Sequence, residues 1–266
     1  MRILVTGAYG FLGNLLYAHL VSSPDRNEVF GLVRRQEPSA RADSSTIVTI
    51  PESNLRIADL ADYDAVARGM DGIDTVVHLA ADPNPQSEWD RILSSNIVGV
   101  YNVFEAARLA GLKRVVFAST NQVVFGYKNI APFGTLMEER FDAPELESYT
   151  PIRHDWPTKP TSLYSCSKVF GEALAYMYSD RYDLSSICVR IGWVLPEDEP
   201  RSRTLWHSQR DFLQLMELCI NAPESLRFDV FFGHSDNEFN FVDIEHAREV
   251  LGYQPQDGAP GVPEAN

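Results

Sequence analysis

Short apolar runs alternate along this chain with longer segments in which apolar residues recur at helical spacing. The runs predict buried strands at Ile3–Thr6, Glu28–Val33, either Thr46–Ile50 or Leu55–Ile57, Thr75–Leu79, Val115–Ser119, Ser186–Arg190 and Asp229–Phe232. The helical patterns between them cover Leu12–Val21, Tyr63–Met70, Ser87–Ala110, Leu163–Tyr182 and Arg210–Ile220. This alternation is typical of parallel strands joined by crossover helices, so it predicts an α/β fold with a Rossmann-type doubly wound parallel sheet. Ligands of such sheets bind outside the carboxyl ends of the strands.

Two long stretches interrupt the alternation. The segment 127–160 is rich in proline and acidic residues, and loops of this length in compact domains are usually functional or disordered. We therefore expect residues 1–255 to form one Rossmann-type domain, with substrate-side excursions at 127–160 and 193–240. The second excursion would build a small C-terminal substrate-binding region, and residues 256–266 would form an irregular tail.

Three glycines, Gly7, Gly10 and Gly13, lie between the first strand and the first helix. In this position they suit a dinucleotide pyrophosphate, because they permit a tight turn, a close backbone approach to the phosphates and close packing of helix on strand. The helix N-terminus would offer free N–H groups to the anion. A simple tight turn is the alternative, but the flanking strand and helix favour a nucleotide site. The other residues of this turn assigned to the cofactor are Tyr9, Phe11 and Leu12.

Arg34 and Arg35 follow the second strand, where a carboxylate would bind both ribose hydroxyls of NAD. No carboxylate stands there, and an arginine can pair with a 2′-phosphate instead. The sequence therefore favours NADP over NAD, with Arg34 at the phosphate. Two solvated surface arginines are the alternative.

Two further strand ends carry residues suited to a cofactor. The Asp59 carboxylate, after the third strand, can accept a hydrogen bond from the adenine amino group, although it could also cap the helix at Tyr63. Small residues after the fourth strand allow the backbone to lie against the cofactor, and His78 is interpreted as structural. The residues assigned to the cofactor here are Asp59, Leu60, Leu79, Ala80 and Ala81.

Tyr164 and Lys168 are separated by one helical turn, so they share a helix face. Tyrosine normally loses its proton near pH 10. A nearby ammonium group, or the positive ring of an oxidised nicotinamide, would favour the phenolate. Tyr164 could then act as a general base near neutral pH.

Polar residues occur in two further places where the pattern predicts apolar surroundings. Asn96 lies in an otherwise apolar helix and needs a partner if it is buried, so it could stabilise a local kink and bind a water. Thr120, Asn121 and Gln122 follow the fifth strand, where their side chains would point at whatever lies above the sheet. A turn cluster is the alternative for these three residues.

Taken in order, these motifs resemble those of the extended short-chain dehydrogenase/reductase family, which includes the NAD-dependent epimerases and dehydratases. The matching positions are Thr6–Gly13, Asp59–Leu60, His78–Ala81, Asn96, Thr120, Tyr164, Lys168, Asp243, Ala247 and Leu251–Pro255. The resemblance covers roughly residues 1–255. It implies an active centre of Thr120, Tyr164 and Lys168 with Asn96 as a fourth member. It also implies a homodimer that pairs the helices at Ser94–Ala110 and Leu163–Tyr182.

Within the family, the chain is most similar to the sugar-oxidising branch typified by uronate dehydrogenase. Phe117–Asn121, Val189–Gly192 and the Trp206/Asp211/Phe212 spacing are alike. The branch implies that Arg190 binds a substrate carboxylate. This chain departs from it in having Gln122 where the branch has histidine, a longer 127–160 excursion, and no acidic residue after the second strand.

The resemblance implies an NAD(P)-dependent oxidoreductase that oxidises a cyclic sugar at C1 to a lactone. Uronates, pentoses, hexoses and hexose phosphates are all candidate substrates. Tyr164 would take the hydroxyl proton while Thr120 hydrogen-bonds the same oxygen. Arg190 would hold an anionic group bidentately. Arg210 is a weaker candidate for the same role, and a charge on the helix surface is the alternative interpretation of it. The substrate-binding residues are then Thr120, Asn121, Gln122 and Arg190.

Two alternatives stay open at this point. One is a nucleotide-sugar epimerase or dehydratase, although such chains are typically longer after the sixth strand. The other is a non-catalytic nucleotide-binding sensor, which would have no use for a general base.

Bulk composition narrows the classes of partner. The net charge of −14 and the absence of a basic stripe argue against nucleic acid. No apolar run approaches the ~20 residues needed to span a bilayer, and no leader pattern opens the sequence, so we expect a cytoplasmic protein. The three cysteines fit neither a disulfide framework nor a metal-binding spacing, and no metal is expected.

Overall fold

The computed structural model describes residues 1–23, 27–37 and 47–261. Within them, seven strands form one sheet in the order β3-β2-β1-β4-β5-β6-β7, and every pairing is parallel. The strands are β1 (Arg2–Thr6), β2 (Glu28–Val33), β3 (Leu55–Ile57), β4 (Thr75–His78), β5 (Arg114–Thr120), β6 (Ser185–Ile191) and β7 (Phe228–Gly233). The predicted doubly wound parallel sheet is therefore confirmed.

Helices cover both faces of this sheet. They are α1 (Phe11–Val21), α2 (Tyr63–Gly69), α3 (Trp89–Ile92), α4 (Gly99–Leu109), α5 (Phe133–Met137), α6 (Leu163–Arg181), α7 (Gln209–Ile220) and α8 (Glu245–Leu251). A π-helical stretch, Leu93–Val98, joins α3 to α4, and short 3₁₀ turns occur at Glu52–Asn54, Asn121–Asn129 and Pro144–Leu146.

The core divides into two layers because successive strand residues point to opposite faces. Ile3 and Val5 of β1 pack with α1 and α7, for example against Leu16 and Phe212. Leu4, between them, packs on the other face with α2, α4 and α6. Near-continuous apolar strands are the expected pattern for a sheet covered on both sides.

The structure resolves the choice for the third strand in favour of Leu55–Ile57. Thr46 lies outside the described residues, and Ile47–Ile50 forms no strand. There the backbone is held instead by Asn14, whose Oδ1 accepts from Val48 N at 2.9 Å. The helix predicted at Ser87–Ala110 begins at Trp89 and contains the π-helical stretch. Helices α5 and α8 were not predicted from the sequence.

Much of the 127–160 excursion is folded onto the rest of the chain. Phe133, Leu136 and Ile152 form a third apolar cluster with Phe241 and Val242, and Ile152 and Val242 form an isolated parallel bridge. Because the cluster contains Val123 and Val124 as well, it fixes the chain directly after β5.

The part of the tail that the structure describes, up to Gly261, has no regular secondary structure. It is nevertheless attached: Asp257 accepts from Ser208 Oγ at 2.7 Å, and Ala259 is buried. No helix among the described residues is long and apolar enough to cross a bilayer.

Candidate active site

The glycine turn lies where the strand order reverses, between β1 and β4. Gly7 has a φ of +72°, and a Cβ there would lie 3.0 Å from the backbone of Ala80. A Cβ on Gly13 would lie 2.1 Å from the Gly7 carbonyl oxygen. Helix α1 starts directly after Gly10 without a side-chain cap. Open N–H groups and bare backbone at a topological switch point are what a dinucleotide pyrophosphate requires.

The charged residues after β2 and β3 are open to solvent. Arg34 is exposed directly after β2, and Asp59 is exposed after β3. The capping alternative for Asp59 is wrong, because the N-cap of α2 is Asp62, which accepts from Ala65 N at 3.0 Å. Leu60 is buried, and its carbonyl accepts from Asn102 Nδ2.

His78 at the end of β4 is fully buried, and its Nδ1 lies 2.8 Å from Thr6 Oγ1. Burial lowers the pKa of His78 to about 3, and the Lys168 ammonium acts in the same direction. The Thr6 hydroxyl also accepts from Ala80 N at 3.1 Å. His78 therefore fixes the turn after β4, while Leu79, Ala80 and Ala81 are partly accessible beside the glycines.

Tyr164 and Lys168 come together with Thr120 at the carboxyl end of β5. Ser162 and Ser165 form a capping box that starts α6, so Tyr164 stands in its first turn. The Tyr164 hydroxyl lies beside Thr120, which acts to lower its pKa. Lys168 Nζ donates to the Ala118 carbonyl at 2.7 Å and lies 5.8 Å from the centre of the Tyr164 ring.

Burial dominates the proton affinities of this pair. It raises the pKa of Tyr164 to about 12, although the Thr120 side chain opposes the shift. It also lowers the pKa of Lys168 to about 8. The protein by itself therefore keeps the phenol protonated, in contrast to the expectation that Lys168 alone would favour the phenolate. Additional positive charge at the site is needed to bring the phenol into a useful range.

Asn96 lies in the π-helical stretch between α3 and α4. Its Oδ1 accepts from Asp82 N at 2.8 Å. Its Nδ2 donates to Asp82 O at 3.0 Å and to Ser167 Oγ at 3.1 Å. Asn96 thus links the chain after β4 to α6.

Thr120, Asn121 and Gln122 lead out of β5 into a 3₁₀ turn. Thr120 Oγ1 accepts from Gln122 N at 3.3 Å, and Gln122 is partly exposed. Asn121 is buried, with its Nδ2 at 3.2 Å from Nε2 of His234. Sequence reasoning missed His234, because nothing local marks a histidine that follows the last strand.

Arg190 is not free to hold a substrate anion in the way predicted. Its Nε and Nη2 each donate to the Glu172 carboxylate at 2.9 Å, and Nη1 donates to the His154 carbonyl at 3.1 Å. Ser119 Oγ donates to the same carboxylate at 2.6 Å. The bidentate edge of the guanidinium therefore faces an internal partner. Glu172 was missed, although its place one turn beyond Lys168 on α6 was a signal.

Arg210 fits the surface interpretation, because it is exposed and paired with Asp257. Among the described residues, His154, Asp229 and His246 bring potential metal ligands within 4.8 Å of one another. The two imidazoles stack face to face at 3.6 Å and 10°, so their lone pairs lie in nearly parallel planes, which does not favour binding of one ion by both rings.

Comparison with known proteins adds to this geometry. Residues 3–205 match the model of the NAD dependent epimerase/dehydratase family. The NAD-dependent glucose-6-phosphate dehydrogenase of Haloferax volcanii is 34% identical over 265 residues, covering 97% of this chain and 94% of the relative. L-arabinose 1-dehydrogenase (NAD(P)(+)) of the same organism is 35% identical over 278 residues, covering 99% of each chain.

A solved structure also matches nearly the whole chain. The crystal structure of a uronate dehydrogenase from Agrobacterium tumefaciens, a point mutant complexed with NAD, superimposes with a TM-score of 0.75 at 32% identity. The match covers 97% of this chain and 85% of that one. From its motifs, its fold and these matches, the chain belongs to the NAD dependent epimerase/dehydratase family.

Proposed function

We propose that this protein is an NAD(P)-dependent dehydrogenase that oxidises a cyclic sugar at its C1 hydroxyl to a lactone. The observation that carries the proposal is the buried Tyr164 beside Thr120, with Lys168 one helical turn along, at the sheet edge that also holds the glycine turn. Binding of a nucleotide alone would not require a buried phenol of this kind. The names of the full-length relatives support sugar oxidation.

The chain supplies the proton transfer and the positioning. Thr120 hydrogen-bonds the C1 oxygen, and Tyr164 takes its proton as general base. Lys168 holds the nicotinamide ribose and contributes positive charge near the phenol. The oxidised nicotinamide ring, when bound, supplies the hydride acceptor and the further positive charge that lowers the Tyr164 pKa. Asn96 keeps α6 in register with the chain after β4.

The glycine turn would hold the pyrophosphate, with Asp59 at the adenine and Ala80 and Ala81 against the cofactor. Arg34, exposed after β2, would pair with a 2′-phosphate, so we assign NADP as the preferred cofactor and NAD as the second. A guanidinium is suited to a phosphate because it can bind two oxygens at once.

The substrate would lie against Thr120, Asn121 and Gln122. Three of the five N–H groups of Arg190 are bound inside the protein, so any contact with a substrate anion would use the remaining ones. Uronates, pentoses, hexoses and hexose phosphates therefore all belong in the test.

We also propose a homodimer formed through α4 and α6. These helices are adjacent, because Tyr178 of α6 donates to Glu105 of α4 at 2.9 Å. Tyr101, Leu109 and Tyr176 are exposed on them by 47, 60 and 56%. Large apolar side chains on neighbouring helices are typical of a surface that another copy covers.

The experiment is a sugar panel. Purified protein is mixed with NAD or NADP and each candidate sugar, and the absorbance of the reduced nicotinamide is followed. We expect turnover with at least one of these sugars, a lactone as the first product, and a higher kcat/KM with NADP. Tight nucleotide binding with no turnover of any sugar would contradict the proposal and indicate a nucleotide-binding sensor.

A further inference from the structure

A line of buried polar side chains runs from the end of β5 to the tail of the chain. It consists of Asn121, His234, Asn240 and Asn237, each of which is less than a tenth exposed. Neighbouring members lie 3.0–3.2 Å apart. Each amide could in principle face either way, so the direction of these hydrogen bonds has to be derived from groups whose role is fixed.

Backbone groups fix the far end of this line. Asn237 Nδ2 donates to the Trp206 carbonyl at 3.0 Å, and Asn237 Oδ1 accepts from Ala259 N at 3.0 Å. Asn240 Nδ2 donates to the Ser235 carbonyl at 3.0 Å. A backbone carbonyl can only accept and a backbone N–H can only donate, so neither amide can be reversed.

The orientation of Asn240 determines the tautomer of His234. Asn240 Oδ1 accepts from Asn237 Nδ2 at 3.0 Å and lies 3.2 Å from Nδ1 of His234. An acceptor at that position requires the proton to be on Nδ1. Burial lowers the pKa of His234 to about 4, although hydrogen bonds that the ring donates to Asn240 and to the Thr204 backbone oppose the shift. Near neutral pH the ring therefore carries one proton. Nε2 is then a bare acceptor.

Asn121 must meet that acceptor with its amide nitrogen, at 3.2 Å. Its Oδ1 has no hydrogen-bond partner among the residues that the structure describes, and it directly follows Thr120. We infer that His234 is a positioning residue, which locks the Asn121 amide so that Oδ1 is presented as a hydrogen-bond acceptor to the substrate. This inference rests on the proposed function for the identity of the substrate as a sugar.

The locked amide restricts what the substrate can place beside it. A sugar hydroxyl can donate to Asn121 Oδ1, whereas a carboxylate or phosphate oxygen would oppose it acceptor to acceptor. We therefore assign a hydroxyl-bearing carbon of the sugar to this contact, and any anionic group to another part of the cleft.

The first test is spectroscopic and needs no substrate. Long-range proton–nitrogen NMR correlations on histidine-labelled protein at neutral pH distinguish the two tautomers, and the His234 signals are those missing from a His234→Asn variant. We expect Nδ1 protonated and Nε2 bare. A proton on Nε2 would overturn the inference, whatever the enzyme turns over.

The second test compares two substitutions of His234, each of which can replace only one of the two ring nitrogens in hydrogen bonding. The amide of glutamine reaches the position of Nε2, and the amide of asparagine stays near Nδ1. His234→Gln should keep an acceptor for Asn121 and hold kcat/KM for the sugar within about threefold, whereas His234→Asn should lower it by about 10- to 100-fold, mainly through KM. Cofactor affinity, measured by fluorescence, should stay unchanged in both.

Equal losses in the two variants, with cofactor affinity intact, would show that His234 does not act through Asn121. If the wild-type protein oxidises no sugar, the proposed function fails while the tautomer measurement still decides the hydrogen-bond direction. The two failures are therefore distinguishable.

Discussion

Tyr164, Lys168 and Glu172 occupy successive turns of one face of α6, and burial changes the chemistry of each differently. The phenol is held protonated with a pKa of about 12. The ammonium has a pKa of about 8. The carboxylate is engaged by Arg190 and Ser119. Equal spacing in the sequence thus places a phenol, an amine and an ion-paired carboxylate on one helix face.

Replacing the Tyr164 hydroxyl should remove the general base without disturbing the fold. We expect Tyr164→Phe to lower kcat by about 10²–10⁴-fold. The Kd for the cofactor should stay within a few-fold of the wild-type value. Steady-state kinetics and fluorescence titration check both values. Tyr176→Phe, at an exposed position of the same helix, is the matched control. Near-normal turnover by Tyr164→Phe would refute the assigned base.

Lys168 should make stability depend on pH. Its pKa falls from 10.5 to about 8 on folding, so between those values the unfolded chain keeps a proton that the folded chain has released, and stability rises with pH. Relative to that of Lys168→Met, the free energy of unfolding of the wild type should rise by up to about 3 kcal/mol from about pH 7 to about pH 10.5. Urea unfolding of the two proteins at several pH values measures this.

Lys113→Met is the control for Lys168, because the Lys113 side chain is 71% exposed. Its stability difference from the wild type should not vary over the same pH window. If the stability difference between the wild type and Lys168→Met also does not change with pH, the buried amine keeps an ordinary pKa.

Arg34 should decide the cofactor preference by charge. Arg34→Asp would remove a charged hydrogen-bond donor from the 2′-phosphate and place a carboxylate at the ribose hydroxyls. We expect the NADP/NAD ratio of kcat/KM to fall by about tenfold or more. Arg68→Asp makes the same change of net charge at another exposed arginine and should leave the ratio alone. An unchanged ratio in Arg34→Asp would exclude contact with the 2′-phosphate.

At the scale of elements, helix α6 is attached to the sheet by a buried ion pair. Glu172 of α6 binds Arg190 of β6 through both oxygens, and Ser119 of β5 donates to it as well. The side chains of Glu172 and Arg190 are only 9 and 4% exposed. The pair holds α6 at a fixed height over β5, and therefore holds Tyr164 beside Thr120.

Breaking that pair should cost far more stability than breaking a surface pair. We expect Glu172→Ala to lower the free energy of unfolding by about 3–5 kcal/mol, because it leaves a buried guanidinium unpaired. Arg210→Ala, which breaks the exposed pair with Asp257, should cost under about 1 kcal/mol. Urea denaturation measures both, and similar costs would show that the Arg190 pair is not effectively buried.

At the scale of the whole molecule, the net charge of −14 disfavours close association of copies except where apolar side chains outweigh it. Tyr101, Leu109 and Tyr176 offer such a surface on α4 and α6. The glycine turn lies at the carboxyl ends of the strands, so this pairing would leave it accessible.

A charged substitution on this surface should separate the proposed dimer. We expect the double variant Leu109→Asp/Tyr176→Asp to sediment as a monomer where the wild type sediments as a dimer, because the interface would gain two unpaired carboxylates from each subunit. Ile57→Asp changes an exposed apolar residue of β3, 53% accessible, and should keep the wild-type mass. A wild type that is monomeric at micromolar concentration would contradict the dimer.

The elements of the sheet could be predicted because their signals are local. The apolar runs of β1, β4, β5 and β6 differ from the observed strands by a residue or two at their ends. The predicted α6 was also nearly right, since its apolar face and its start at Leu163 are visible in the sequence. The short α5 and α8 escaped prediction because their burial depends on partners far along the chain, such as Phe241 for Phe133.

The sequence by itself determined the strand and helix alternation, the glycine turn, the Tyr164/Lys168 spacing and the family, because each is encoded by neighbouring residues. The tertiary structure alone decided the direction of the proton affinities, the pairing of Arg190 with Glu172 and the link from Asn121 to His234. Those properties depend on burial and on contacts between residues up to 113 positions apart. Neither burial nor such contacts can be read from a local pattern, since desolvation and hydrogen bonding are set by the packed surroundings.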